Sequence, residues 1–219
     1  MLIKEALEEI GGKSLPSKMP KVCTCYSTSA KDCITGAKLR KIKGSVCSNC
    51  YALKGRYVFT PVQNAHSRRL EKLNTNPNWV KGFDTIVKQS KLDNKTQTKL
   101  VRFFDSGDIN KLEHLIKFVA LAYLNKDCLF WLPTKEYKIL AEYKKRGGVV
   151  PDNLIIRVSA PFNGVAIAGN YQYSSMTINP TQPAPAGVHV CPAQNQDNNC
   201  GDCRACWSSS VKVVAYPTH

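Results

Sequence analysis

The middle of the chain alternates short apolar runs with longer amphipathic segments. The apolar runs have the length and the β-branched or aromatic content of buried strands: TKLVRFFDSGD (98–108), DCLFWLP (127–133) and NLIIRVSAP (153–161). The amphipathic segments predict helices over 60–74, 76–92, 110–126 and 136–148. Within the first of these helices, the apolar stripe is expected at Val62, Ala65, Leu70 and Leu73.

Strands that alternate with helices over short connections predict right-handed parallel βαβ units, and therefore an α/β fold. A chain of 219 residues has room for a partial or small (β/α) barrel, but not for a full-size one. Residues 160–188 lack a clear period, and VHVC (188–191) and VKVVAY (211–216) read as later strands. We expect a single domain over 1–219, with an irregular cysteine-rich segment at 191–207 near the C-terminus.

Polar side chains follow the three central strands where each strand ends. They are Asp105, Ser106 and Asp108, then Thr134 and Lys135, then Arg157 and Ser159. The carboxyl ends of parallel strands share one edge of a sheet, so these residues predict a pocket, although Asp, Ser and Thr also make ordinary turns and helix caps.

The candidate catalytic residues at this pocket have distinct expected roles. Asp105 or Asp108 would act as general base or acid, and Lys135 or Arg157 would hold an anionic group of a small anionic or ester-type substrate. Ser106 is a candidate nucleophile for a hydrolase such as an esterase, but the chain has no G-x-S-x-G motif around it.

Cysteines supply the strongest chemical signal. In CPAQNQDNNCGDCRACW (191–207), Cys200, Cys203 and Cys206 are spaced as C-x2-C-x2-C, with Cys191 upstream. Such spacing is typical of a [4Fe–4S] cluster, and zinc is the alternative. Disulfides are disfavoured because the N-terminus does not resemble a signal peptide, so we expect a reducing cytoplasm.

The remaining cysteines differ in whether we expect them to bind a metal. Cys47 and Cys50 form a second C-x2-C pair, with Cys33 upstream, and they either complete the first metal site or hold another. Cys23 and Cys25 are separated by one residue, and we do not expect them to be ligands. A core position is expected for Cys128, because it lies inside an apolar strand.

The formal net charge of +15 favours phosphate-bearing partners, nucleic acid among them. The alternative is that most of the lysines solvate helix faces, because the basic clusters are short. No apolar window reaches the roughly 18 to 20 residues that span a bilayer, so no membrane partner is expected.

Five segments occur in an order that resembles a known family. They are GSVCSNCYALKGRY, VRFFDSGDI, FWLPTKEYKIL, HVCPAQNQDNNCGDCRACW and VKVVAYPTH, and the resemblance to the gene product 88 family of tailed bacteriophages runs from LPSKMP onward. It implies a phage-encoded protein that acts in the host cytoplasm.

A more distant resemblance links the CYA segment and the strand ends to radical S-adenosylmethionine enzymes and their partial barrels. Their cluster motif is C-x3-C-x2-C, and here Cys47 and Cys50 match only its last pair, with Lys43 at the first position. This departure counts against S-adenosylmethionine binding, while the fold resemblance is unaffected.

Two functional hypotheses follow. The first is an iron–sulfur enzyme of redox or radical type, or a hydrolase, that acts at the strand-end pocket beside a [4Fe–4S] cluster held by Cys191, Cys200, Cys203 and Cys206. The second is a non-catalytic module, stapled by zinc or a cluster, that binds nucleic acid or a host protein. The acidic strand end DSGD repels phosphate and favours the first hypothesis.

Overall fold

A computed structural model describes residues 1–15, 18, 21–167, 169 and 171–218. The strands are β1 (Thr24–Tyr26), β2 (Lys99–Phe103), β3 (Cys128–Thr134), β4 (Leu154–Ser159), β5 (Ser174–Ile178), β6 (His189–Val190) and β7 (Val213–Pro217). The α-helices are α1 (Ile3–Ile10), α2 (Ile34–Leu39), α3 (Thr60–Thr75), α4 (Trp79–Lys88), α5 (Leu112–Leu124) and α6 (Tyr137–Lys145).

Within the described residues the strands form one all-parallel sheet in the order β1-β2-β3-β4-β5-β7-β6. Helices α2, α3 and α4 lie between β1 and β2, α5 connects β2 to β3, and α6 connects β3 to β4. This confirms the predicted α/β fold with parallel βαβ units in a partial barrel, and the cysteine-rich segment lies between β6 and β7.

One face of the sheet, which we call the helix-covered face, is packed almost entirely by apolar and aromatic side chains. Phe103 of β2 stacks on Phe118 of α5, with ring centroids 4.1 Å apart. From α4, Phe83, Ile86 and Val87 are buried in the same core, as their spacing predicts. Cys128 is also fully buried there, which confirms its expected core position.

Helix α3 departs from its predicted stripe. Leu73 is buried as expected, but the other buried positions are His66 and Arg69, while Ala65 and Leu70 are only half-buried. Arg69 is drawn inward because its Nε donates to the Ser27 carbonyl oxygen, 2.6 Å away. Tertiary hydrogen bonds at the end of β1 therefore override the helical hydrophobic pattern.

The opposite face, which we call the cysteine face, is covered by the C-terminal segment. Its buried cluster joins Cys23 and Cys25 to Leu100, Trp131, Ala205, Cys206, Trp207 and Val214. Trp207 packs edge-on against Trp131, at 5.3 Å between centroids, and its Nε1 donates to the Val101 carbonyl oxygen. A single 3-10 turn, Ala205–Trp207, thus packs on this face.

The connection from β1 to α3 arches over the carboxyl ends of the strands. The backbone nitrogen of Val46 donates to the Pro161 carbonyl oxygen just beyond β4, and Ser45 forms an isolated bridge with Phe162. Among the described helices, none is long and apolar enough to cross a membrane.

Candidate metal centres and the strand-end site

Six cysteines gather on the cysteine face. Cys23 and Cys25 point to the same side of β1, with their sulfur atoms 3.8 Å apart. The Cys200 thiol lies within electrostatic range of Cys23, Cys191 and Cys203, and Cys206 lies within range of Cys200. The structure therefore places the four predicted cluster ligands, Cys191, Cys200, Cys203 and Cys206, on one face of the sheet, and adds two thiols that were not expected.

Two further polar side chains touch this group of six cysteines, which we call the face thiols. The Nε2 atom of His189 lies 3.3 Å from the Cys203 sulfur. The Tyr216 hydroxyl lies 3.3 Å from the Cys206 sulfur. Both residues come from the neighbouring strands β6 and β7, so the last two strands help to enclose the thiols.

Arg102 of β2 lies at the centre of the cysteine face. Its side chain is buried, its guanidinium lies over the Trp131 ring at 4.7 Å, and its Nη1 is 3.2 Å from an Asp105 carboxylate oxygen. Its Nε and the Nε1 of Trp131 have no hydrogen-bond partner in the described part of the chain. Two buried N–H donors without acceptors are costly, and they suit an anionic group bound beside them.

The same guanidinium shifts the thiols toward the charged form. Burial raises the pKa of Cys200 to about 11 and that of Cys206 to about 12, and in both the positive charge of Arg102 opposes the rise. Contact with Cys23 lowers the pKa of Cys25, and Arg102 lowers it further. A fixed positive charge that faces several thiols favours thiolate ligands.

Arg157 of β4 holds the cysteine-rich segment in place. It is fully buried and donates to five backbone carbonyl oxygens, with distances from 2.7 Å to Ala205 up to 3.3 Å to Lys212. Because these carbonyls occupy the guanidinium, we assign Arg157 to positioning the segment rather than to the pocket. A second clamp is the buried ion pair between Arg204 and Asp93, at 2.6 Å.

At the end of β2, Asp105 is already engaged. Its carboxylate accepts from the Tyr57 hydroxyl at 2.5 Å and pairs with Arg102. Its backbone carbonyl accepts from the Tyr51 hydroxyl, and its backbone nitrogen donates to the Ser27 hydroxyl. Asp105 therefore links the strand end to the cysteine face through Arg102.

Asp108 is a buried carboxyl that ties two strand ends together. It accepts from the Thr134 hydroxyl at 2.6 Å and from the backbone nitrogen of Lys135 at 2.9 Å. Burial raises the pKa of Asp108 to about 6, although these hydrogen bonds oppose the rise. A carboxyl that titrates near neutral pH can both accept and release a proton.

Ser106 and Lys135 lie at the same edge in different environments. The Ser106 hydroxyl is buried and has no hydrogen-bond partner among the described residues, so no base contacts it there. Lys135 is half-buried, and its charge acts on the Cys47 thiol. Lys135 thus faces a thiol, and its ability to hold an anionic group stays a prediction.

Cys47 and Cys50 lie with Cys33 beside the strand ends, in the arch between β1 and α3. The Cys33 thiol is within electrostatic range of Cys47, Cys50 and Asp108. Nine of the ten cysteines thus lie in two groups: the six face thiols, and the three cysteines of the arch. All ten cysteines carry free thiols.

A cavity of about 400 Å³ opens at the carboxyl ends of β5, β6 and β7. Its walls include Ile178, Val190 and Pro217 from those strands, together with Cys191 and Gln194. One of the face thiols therefore borders a cavity large enough for a small molecule.

The donor chemistry of the face thiols fits a thiophilic metal or an iron–sulfur cluster. The described part of the chain holds no group of three or more histidine, cysteine or acidic side chains already arranged for a metal ion. Ligation thus requires thiol side chains to turn about their Cα–Cβ bonds. The unpartnered donors of Arg102 and Trp131 are consistent with an anionic group in this position.

Several residues of these sites escaped sequence reasoning, notably Cys23, Cys25 and Arg102. For Cys23 and Cys25 a signal existed, because residues two apart in a strand point to the same face. For Arg102 the alternation of KLVRF places Arg102 and Leu100 on the face opposite Phe103. Cys33 lies within electrostatic range of Cys47 and Cys50, the pair with which the sequence groups it.

Comparison with known proteins yields one family. The sequence model of the family described as gene product 88 matches residues 3–209. No curated protein matches the chain, and no solved structure matches it either.

Proposed function

The chain belongs to the gene product 88 family, and from that premise we propose that it is an iron–sulfur protein whose [4Fe–4S] cluster is held by Cys191, Cys200, Cys203 and Cys206. The observation that carries the proposal is the buried Arg102 among the face thiols, with donors on Arg102 and Trp131 that lack acceptors. Sulfide and thiolate sulfur of a cluster would accept these hydrogen bonds.

We further propose that the protein is an enzyme of redox type. A bound cluster supplies one-electron transfer, or a Lewis acid where one iron lacks a protein ligand. The cavity beside Cys191 is the place where a small substrate would approach the cluster. Asp108, with its pKa of about 6, is suited to hold or release a proton at the separate strand-end site of β2 and β3. The ion pair of Arg102 with Asp105 connects the face thiols to the strand ends.

The hydrolase alternative has less support. Ser106 is buried and contacts no base among the described residues, so its hydroxyl is not activated in this conformation. A Ser106→Ala variant that retains its metal and its activity would remove this alternative. Nucleic-acid binding through the basic surface and action in the host cytoplasm stay predictions.

The test is anaerobic purification with quantitation of iron, sulfide and zinc and an absorption spectrum. We expect about four irons and four sulfides in the centre, with a broad band near 400 nm that dithionite bleaches. A variant with Cys191, Cys200, Cys203 and Cys206 changed to serine should lose that iron, whereas the matched core variant Cys128→Ser should keep it. Stoichiometric zinc without colour, or iron unchanged in the serine variant, would overturn the proposal.

A further inference from the structure

The arch between β1 and α3 carries three thiols that the proposed cluster does not use. Cys33 lies immediately before α2, and Cys47 and Cys50 lie in the turn that follows it. Each of the three is partly exposed, so a metal ion can reach them. Nothing in the proposed function assigns them a role.

Gly36 shows that two of these sulfurs share one space. A β-carbon added at Gly36 would lie 3.6 Å from the Cys33 sulfur and 3.8 Å from the Cys47 sulfur. It would also lie 2.9 Å from the Cys33 β-carbon, closer than real contacts allow. Glycine inside a helix costs about 1 kcal/mol relative to alanine, so its presence in the short helix α2 has a packing reason: it leaves room between the thiols.

Hydrogen bonds hold this arch against the strand ends. The Glu136 carboxylate accepts from the backbone nitrogen of Thr35 at 2.8 Å and from its hydroxyl at 2.7 Å, which fixes the start of α2 to the end of β3. The Val46 backbone nitrogen, bonded to the Pro161 carbonyl, fixes the turn that carries Cys47 to the end of β4. The thiols are thus anchored from both sides by buried or half-buried groups of the sheet.

The electrostatic surroundings complete the site. The Asp108 carboxyl and the Cys47 and Cys50 thiols lie within electrostatic range of the Cys33 thiol, so the three thiols and the carboxyl share one neighbourhood. The Lys135 ammonium lies within electrostatic range of the Cys47 thiol. Several thiols crowded beside carboxylates are stabilised when a cation is bound among them.

We infer that Cys33, Cys47 and Cys50 form a second centre for a thiophilic metal, separate from the face thiols. Three thiolates leave one coordination position that the protein does not fill, and this position lies at the carboxyl ends of the strands near Lys135. The centre is formed when the Cys47 and Cys50 side chains turn toward Cys33 over Gly36. This inference does not rest on the cluster at Cys191, Cys200, Cys203 and Cys206.

The experiment measures iron, zinc and sulfide in full-length protein made anaerobically with iron and sulfide supplied. Three chains are compared: the unsubstituted protein, a variant with Cys33, Cys47 and Cys50 changed to serine, and the variant with the four C-terminal ligands changed to serine. We expect each variant to lose one centre and keep the other. Cys128→Ser is the matched control, and it should keep both.

A second measurement covers the case in which the triple variant does not fold. In the unsubstituted protein, alkylation of Cys33, Cys47 and Cys50 is followed by mass spectrometry with and without a chelator. Protection that the chelator removes supports the centre. Gly36→Ala should weaken that protection, because its methyl group would occupy the space between the sulfurs.

Three results would overturn the inference. They are an unchanged metal content in the folded triple variant, alkylation that does not respond to the chelator, and a Cys33–Cys47 disulfide without metal. If the triple variant keeps all of the metal while the C-terminal variant loses all of it, the proposed function stands and only this second centre fails.

Discussion

Arg102 and Phe103 are neighbours in β2, yet they face opposite sides of the sheet and meet opposite chemistry. Phe103 enters a core of stacked rings on the helix-covered face, where its packing partners are apolar and aromatic side chains. Arg102 enters the cysteine face, where a buried cation lies among thiols and one of its donors lacks an acceptor. The helix-covered face is filled by packed protein side chains, whereas the cysteine face has the composition of a binding site.

Loss of a core side chain on the helix-covered face should destabilise the whole fold. Phe103→Ala removes a fully buried ring and should lower the free energy of unfolding by about 3–5 kcal/mol, whether or not metal is bound. Denaturant unfolding measures the change. The control is Phe59→Ala, at an exposed phenylalanine, which should change the stability by less than about 0.5 kcal/mol. Equal effects of the two variants would contradict the conclusion that burial of Phe103 stabilises the fold.

On the cysteine face, loss of a buried side chain should unfold only the C-terminal segment. Arg157→Met leaves five carbonyl oxygens without their donor, at a cost of about 1–3 kcal/mol for each acceptor that water cannot reach. We expect residues 200–212 to become sensitive to protease while the helix-covered face stays folded. Global unfolding at a lower temperature, without local cleavage, would show that the segment is part of the main core.

The helix-covered face also contains buried histidines, which make its stability depend on pH. His114 is fully buried between Asn74 and the backbone nitrogen of Asn110, and burial lowers its pKa to about 4. The unfolded chain takes up the proton near pH 6.5, so the folded state is fully stable above that pH. It loses on the order of 3 kcal/mol as the pH falls toward 4.

The unfolding free energy measured between pH 7 and pH 4 checks this. His114→Gln should reduce the loss of stability between pH 7 and pH 4 by the part that His114 contributes. The part that His66 contributes should remain, because burial also lowers the pKa of His66 to about 4. A slope unchanged by the substitution would refute the assignment.

The smallest expected effect concerns Arg102 itself. Arg102→Gln removes the charge and the donors beside the face thiols, and it should lower the metal affinity of the C-terminal centre by about 10- to 100-fold. Competition with a chelator measures the affinity. Arg146→Gln, at an exposed arginine that directly follows α6, should leave the affinity unchanged. The same affinity in both variants would remove Arg102 from the site.

Much of the fold was predictable because it depends on local patterns. The alternation of apolar runs with amphipathic segments identified β2, β3 and β4 and the helices between them, and DSGD marked the end of β2. Local patterns also placed Cys191, Cys200, Cys203 and Cys206 in one segment, although metal binding there stays a prediction.

The rest depends on contacts between distant parts of the chain. Arg157 reaches carbonyls about fifty positions away, and no local pattern shows that it clamps the cysteine segment. The short spacing of Cys23 and Cys25 argues against a ligand pair, yet their sulfurs lie 3.8 Å apart on the cysteine face and Cys23 is within electrostatic range of Cys200. Sequence spacing identifies ligands within one loop, but sites assembled from strands and loops require the topology.

Amide hydrogen exchange in the iron-loaded and the iron-stripped protein tests whether a bound cluster completes the cysteine face. We expect removal of iron to accelerate exchange in residues 200–212, which cover that face, while amides of α4 and α5 keep their protection. Identical exchange over residues 200–212 in the two forms, or an equal loss of protection on both faces, would contradict a cluster that completes only the cysteine face.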